Sequence, residues 1–381
     1  EFSGEWNKYT INDLATVVGG GTPDTTVKSY WGGDIQWFTP SEIGKNKYVD
    51  FSKRTITRDG LDNSSAKLLP LHTILLSSRA TVGECSIASN ECTTNQGFQS
   101  LIAKQCNIDF LYYLIQTKKK DLIRNACGST FLEISANEIR KIKVAVPVQN
   151  EQEQIAKLLS LIDERIATQN KIIEKLQSLI KGLVDELMTV LLKGKLYPFS
   201  SFYIKAGEGG TPTTSVVEYY TEGTIPFIKI EDLSCKYLTN NKDFITELGM
   251  QKSSAWLIPS KSVIYSNGAT IGAISINEYP VCTKQGILGI VPNTNINVEY
   301  LYLLMSSSYF SKEISRIITE GTMKTAYLKD INHIKCPLPS MAQQKNITNL
   351  TSSIEEKLSI EQELLRFLNL QKQYLLHMIF I

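Results

Sequence analysis

The sequence is short of what catalysis or a membrane would require. Histidine occurs three times (His72, His333, His377), and none is spaced with a cysteine or carboxylate as a zinc site demands. These three read as ordinary structural residues, and no metal ligand or catalytic residue is assigned. A Gly-x-x-x-x-Gly-Lys-Ser/Thr loop is absent, which removes the usual cradle for a nucleotide phosphate. So are a Gly-x-Ser-x-Gly elbow, a cysteine with matching His and Asn, and an Asn-Pro-Pro-Tyr-like tetrapeptide. Pro23-Asp24 followed by Lys28 has the wrong spacing for a nuclease carboxylate–lysine centre.

The seven cysteines (Cys85, Cys92, Cys106, Cys127, Cys235, Cys282, Cys336) are odd in number and contain no Cys-x-x-Cys, so reduced thiols in a cytoplasm are expected. No apolar run approaches the roughly 20 residues of a membrane span, and no signal peptide is read at the start. Neither sign of charge dominates: 40 Lys and Arg stand against 38 Asp and Glu. A hydrophobic fraction of 42% and a charged fraction of 20% are ordinary for a folded chain. At 381 residues that chain should form two or more domains.

What is present is a repeat. Gly21-Thr22-Pro23 returns as Gly210-Thr211-Pro212, and Ser64-Ser65-Ala66 before Pro70 returns as Ser253-Ser254-Ala255 before Pro259. Ala80-Thr81-Val82-Gly83 becomes Ala269-Thr270-Ile271-Gly272, Gln96-Gly97 becomes Gln285-Gly286, and Leu111-Tyr112 becomes Leu301-Tyr302. The offset stays between 189 and 193 residues, so one domain occurs twice. The glycine clusters Gly19-Gly20-Gly21 and Gly207-Glu208-Gly209-Gly210 run into Thr-Pro, where a turn is expected rather than a phosphate site.

Each copy has strand-like runs such as Thr73 to Leu76 and Ser262 to Tyr265, then a helical segment, then a strand stopped by Pro147 or Pro337. A long helix follows each. In the first, Leu159, Ile162, Ile166, Gln169, Ile173, Leu176, Ile180, Leu183, Leu187 and Val190 step by three and four. In the second, Ile354, Leu358, Glu361, Leu365, Leu368, Lys372, Leu375 and Ile379 do the same. Such narrow stripes specify a coiled coil better than a helix lying on its own domain, and polar Gln169 and Glu361 at matching levels can set register. The expected fold is α+β: two duplicated mixed α/β domains, 1–150 and 194–340, separated by helices 151–193 and 341–381. The helices would form an antiparallel coiled coil that relates the halves by an approximate twofold axis.

The run Pro147-Val148-Gln149-Asn150-Glu151-Gln152-Glu153-Gln154-Ile155-Ala156, leading into Leu159, Asp163 and Ile166, resembles the central conserved region of type I restriction-modification specificity subunits. Pro339-Ser340-Met341-Ala342-Gln343-Gln344-Lys345-Asn346-Ile347 resembles the C-terminal conserved region, departing from it at Lys345-Asn346. Phe2-Ser3-Gly4-Glu5-Trp6, Leu14 and the Gly-Thr-Pro turn resemble the family's beginning. The resemblance implies that each globular half is a target recognition domain reading one half of a bipartite site in double-stranded DNA. It implies two methyltransferase subunits and motor-nuclease subunits as partners, S-adenosylmethionine bound by the methyltransferase and not by this chain, and no catalysis here. The rival expectation is a duplicated protein-interaction scaffold without DNA binding.

Residues 1–150 carry 17 basic against 15 acidic side chains and residues 194–340 carry 13 against 12, so local patches must hold any phosphate backbone. The candidate DNA contacts are Lys45, Lys47, Lys53, Arg54, Arg58, Arg79 and Thr81 in the first copy. In the second they are Lys229, Lys236, Lys242, Asn267, Thr270 and Lys284. Arg can fork onto guanine and Asn onto adenine, whereas lysine mainly positions. The copies diverge where Arg79 faces Gly268, Asn95 faces Lys284 and Gln99 faces Leu288, which predicts two different half-sites.

Overall fold

The computed structural model describes residues 6–128, 132–318 and 324–380; Phe2 to Glu5 of the opening motif lie outside them. The chain folds as two compact units, Glu1–Asn170 with Leu364–Ile381 and Lys171–Glu363. Both long helices, Gln149–Leu191 and Met341–Ile379, contribute a part to each unit.

Among the described residues unit 1 has ten strands: β1 (Asn7–Thr10), β2 (Ala15–Gly19), β3 (Trp31–Phe38), β4 (Tyr48–Val49), β5 (Arg54–Ile56), β6 (Ile74–Leu76), β7 (Cys85–Ala88), β8 (Cys92–Thr94), β9 (Gln99–Ala103) and β10 (Lys143–Val146). They form a five-stranded sheet ordered β2-β9-β6-β7-β4, a three-stranded sheet β5-β3-β8 and a pair β1-β10. Unit 2 repeats this with β11 (Leu196–Pro198), β12 (Tyr203–Glu208), β13 (Ile225–Ile228), β14 (Tyr237–Leu238), β15 (Asp243–Ile245), β16 (Val263–Ser266), β17 (Ile274–Asn277), β18 (Cys282–Thr283), β19 (Ile287–Pro292) and β20 (Lys335–Pro337). Its sheets are ordered β12-β19-β16-β17-β14, β15-β13-β18 and β11-β20, the same topology strand for strand. Parallel pairs, β4 on β7 and β14 on β17, make the larger sheets mixed.

The two-residue period of a strand decides what each face covers. On β6, Ile74 and Leu76 join the main core of unit 1, while Leu75 turns to a second cluster with Phe38 and Phe98. On β16, Val263 and Tyr265 join the main core of unit 2 and Ile264 turns to Ile228 and Ile258. Because both faces are covered, β6 reads as an unbroken apolar run instead of alternating.

The glycine clusters serve close approach, not the turn expected of them. A Cβ on Gly20 would lie 2.0 Å from the Asn95 carbonyl oxygen, and one on Gly209 would lie 2.0 Å from that of Thr283. Left-handed backbone falls elsewhere, at His72 and its equivalent Lys261, and at Gly83 and Gly272.

On the central helix Ile162, Gln169 and Ile173 are buried and Ile166, Leu176 and Ile180 half-buried, whereas most residues between them are exposed. On the C-terminal helix Glu361 and Leu368 are buried and Ile354, Leu358, Leu365 and Lys372 half-buried. The expected stripes are therefore the covered ones, with a correction at one end. Val190 is 61% exposed, and Val184 and Met188 are buried instead. An α-helix drifts about 20° per heptad from a strict 3.5-residue repeat, so the covered line has moved by one position there.

Candidate nucleic-acid interface

In both units a short helix ties the sheet to a long helix. Asn107 caps Ile108–Thr117 by accepting from the Phe110 amide, and Asn297 caps Val298–Ser306 by accepting from Glu299 and Tyr300. Each cap is latched by a buried glutamine of the following long helix. Gln152 accepts from the Asn107 amide at 2.9 Å and donates to the Pro147 carbonyl at 2.9 Å. Gln344 accepts from the Asn297 amide at 2.7 Å and donates to the Pro339 carbonyl at 2.9 Å. The same side chain in both copies thus satisfies groups from two elements at once, a role that sequence spacing did not disclose.

A lysine completes each attachment. Lys47 Nζ lies 2.8 Å from Asp109 Oδ1, donates to Ser160 Oγ at 2.6 Å, and sits 4.8 Å from the Tyr113 ring centre. Tyr113 donates to Asp163 Oδ2 at 2.6 Å, and Lys372 Nζ lies 2.7 Å from Asp163 Oδ1. In unit 2 Lys236 Nζ lies 2.6 Å from Glu299 Oε2 and 2.5 Å from Glu355 Oε2. Burial opposes the Lys236 charge, but the two carboxylates outweigh it and hold its pKa above the ordinary lysine value. With side chains only 11% and 16% exposed, Lys47 and Lys236 are corrected from DNA contacts to intramolecular clamps. A polar cleft of about 810 Å³ opens beside the first clamp, lined by Lys45, Asp109, Glu153, Lys157, Glu164 and Asn170 among others.

Asn267 is corrected too. It is fully buried, donates through Nδ2 to the Ala326 carbonyl at 3.1 Å, and so offers no amide to a base. The other candidates are at least partly accessible. Lys45, Lys53, Arg54, Arg58, Arg79 and Thr81 are exposed in unit 1, and Lys242, Thr270 and Lys284 in unit 2. Arg58 is 3.4 Å from Asp62, Arg79 is 3.7 Å from Glu133, and Thr81 Oγ1 is 2.9 Å from Ser77 Oγ. Lys229, partly covered, lies 2.9 Å from Asp243, whose hydrogen bond raises its pKa.

Burial pushes the Cys85, Cys92, Cys106 and Cys336 thiols up to about 12, so none of them is a thiolate near neutral pH. Among the described residues no group of three His, Cys, Asp or Glu side chains could hold a metal, and no helix is long and apolar enough to cross a membrane.

A sequence profile of the type I restriction modification DNA specificity domain matches residues 3–178 and 202–369. The type I restriction enzyme MjaIX specificity subunit of Methanocaldococcus jannaschii is 29% identical, over 93% of this chain and 88% of the relative. The EcoR124I/EcoR124II specificity subunit of Escherichia coli is 28% identical over 42% of this chain and 41% of its own length. The crystal structure of a type I restriction-modification S subunit from M. genitalium superimposes with a TM-score of 0.57, at 20% identity, covering 100% of this chain and 97% of that one. A chain from a study of complex assembly and conformational transition of the type I R-M system reaches 0.61 at 14% identity, covering 98% and 97%.

Proposed function

The chain belongs to the type I restriction modification DNA specificity domain family, and from that membership we propose that it recognises a bipartite, asymmetric DNA target and directs methyltransferase and restriction partners to it. One observation carries the asymmetry. Two copies of one scaffold keep their caps, latches and topology, yet differ at equivalent positions such as exposed Arg79 against buried Gly268 and half-buried Asn95 against exposed Lys284. Residues that hold a fold are constrained alike in both copies; residues that read different bases are not.

Exposed Lys45, Lys53, Arg58, Arg79 and Thr81, with Lys242, Thr270 and Lys284, then supply contacts to DNA. With so little net charge, the chain binds weakly alone, and specific binding requires two methyltransferase subunits, which bring S-adenosylmethionine. The long helices pair antiparallel in this reading. Its support is local: in unit 1 Asp163 meets Lys372 while the earlier Leu159 shares a core with the later Leu375 and Phe380.

The test is a gel shift at physiological salt with random and selected duplexes, with and without the methyltransferase subunit. Selective binding only with the partner supports the proposal. Absence of DNA binding in the assembled complex would favour an interaction scaffold instead.

A further inference from the structure

One exposed place inverts its charge between the copies while the backbone beneath stays the same. On the small sheet of unit 1, Trp37 of β3 stands opposite Arg54 of β5. On the small sheet of unit 2, Phe227 of β13 stands opposite Asp243 of β15. Four residues on, Arg58 is answered by Glu247. The frame around them is common: Thr57 and Thr246 cap the next short helices, and Gly60 and Gly249 press against Tyr30 and Tyr219.

The two charges are also held differently. Asp243 is occupied by Lys229. Among the described residues Arg54 has no carboxylate within ion-pair distance, whereas Arg58 and Arg79 each have one. Its guanidinium carbon instead lies 3.6 Å from the centre of the Trp31 ring and 5.5 Å from that of Trp37. Both rings are fixed. Trp31 Nε1 donates to the Asp24 carbonyl at 3.1 Å, Trp37 Nε1 donates to the Gly21 carbonyl at 3.0 Å, and the rings meet edge to face at 5.0 Å.

Stacking occupies a face of the guanidinium and leaves its N–H edge free for an acceptor. Because the side chain is already held, little further rotamer entropy is lost when it engages. The N–H fork fits two adjacent acceptors, which N7 and O6 of guanine present in the major groove. A phosphate could also take the fork. The inversion to Asp243 favours a base, since both halves need backbone contacts alike but only base contacts must differ between half-sites.

Resting on the reading of the chain as a DNA-specificity subunit, we propose that Arg54, held flat on Trp31, is a specificity-determining residue of the first half-site and takes the N7/O6 edge of a guanine. Selection from a duplex library with both half-sites randomised tests it, using the chain assembled with its methyltransferase partner. In Arg54→Ala, preference for guanine at one position of one half-site falls roughly ten- to hundredfold, and the other half-site is unchanged. Arg54→Lys restores charge without the fork and does not restore the preference; both variants stay folded, with the thermal midpoint lowered by no more than a few degrees through loss of the stack on Trp31. Uniform weakening on all sequences would make Arg54 a phosphate contact and overturn the proposal while leaving the specificity reading intact. An unchanged preference would overturn it likewise, and a parent complex with no sequence preference would overturn both.

Discussion

Lys236 joins three elements of unit 2 through Glu299 and Glu355, so its replacement leaves two carboxylates facing each other in a poorly hydrated place. Lys236→Met should lower stability by about 1–3 kcal/mol, reduced from the cost of a fully buried pair because water still reaches the site. Lys47→Met should cost less, because it strips an ion pair from Asp109 alone. Urea midpoints of the two variants check the order. The pH dependence has a definite sign. The folded-state pKa of Lys236 is raised, so its contribution is fully present below the ordinary lysine value and fades only as pH climbs through the raised one. The loss in Lys236→Met should therefore be flat between about pH 6 and pH 9. Neither lysine betrays this role in the sequence. Each sits in a polar loop like any surface lysine, and its carboxylate partner at Asp109 or Glu299 lies some 60 residues downstream, where only the folded sheet brings it back. Glycine offers a second contrast. Gly20→Ala and Gly209→Ala should each cost about 1–3 kcal/mol through overpacking against a backbone oxygen. In Gly182→Ala the new Cβ meets nothing within 4 Å, and the gain in helix propensity should stabilise by about 0.5–1 kcal/mol.

The helices were the most legible elements, because a stripe stepping by three and four encodes its own covered face. Ile162, Ile166, Ile173, Leu176, Ile354, Leu358 and Leu368 all lie on the covered line as spacing predicts. Spacing erred at Val190, where small drifts had accumulated over the length of the helix. Neighbouring isoleucines make the face testable. Ile173→Ala, at 8% exposure, should cost about 2–4 kcal/mol, and Ile172→Ala, at 37%, well under half of that. Circular dichroism melts of the two variants would show it. Strands were legible in kind through their apolar runs and turn residues, but their order in the sheets was not. Pairing β13 with β18 in parallel depends on contacts more than 50 residues apart, which no local pattern records. Asn267 was misplaced for the same reason: its cover, Ala326, arrives 59 residues later.

At the scale of the whole molecule, duplication is the organising fact, and it was plain in the sequence because glycines, prolines and caps must recur wherever one backbone recurs. Each unit has its own core, cap, latch and clamp, which is what independent reading of two half-sites requires. The most direct test replaces residues 1–150 by the matching segment of a homologous specificity subunit with a different first half-site. Methylated positions are then mapped for the hybrid assembled with its methyltransferase partner. The account predicts that one half-site changes to that of the donor while the other stays as in the parent. A hybrid that folds and assembles, yet changes both half-sites together or neither, would contradict it.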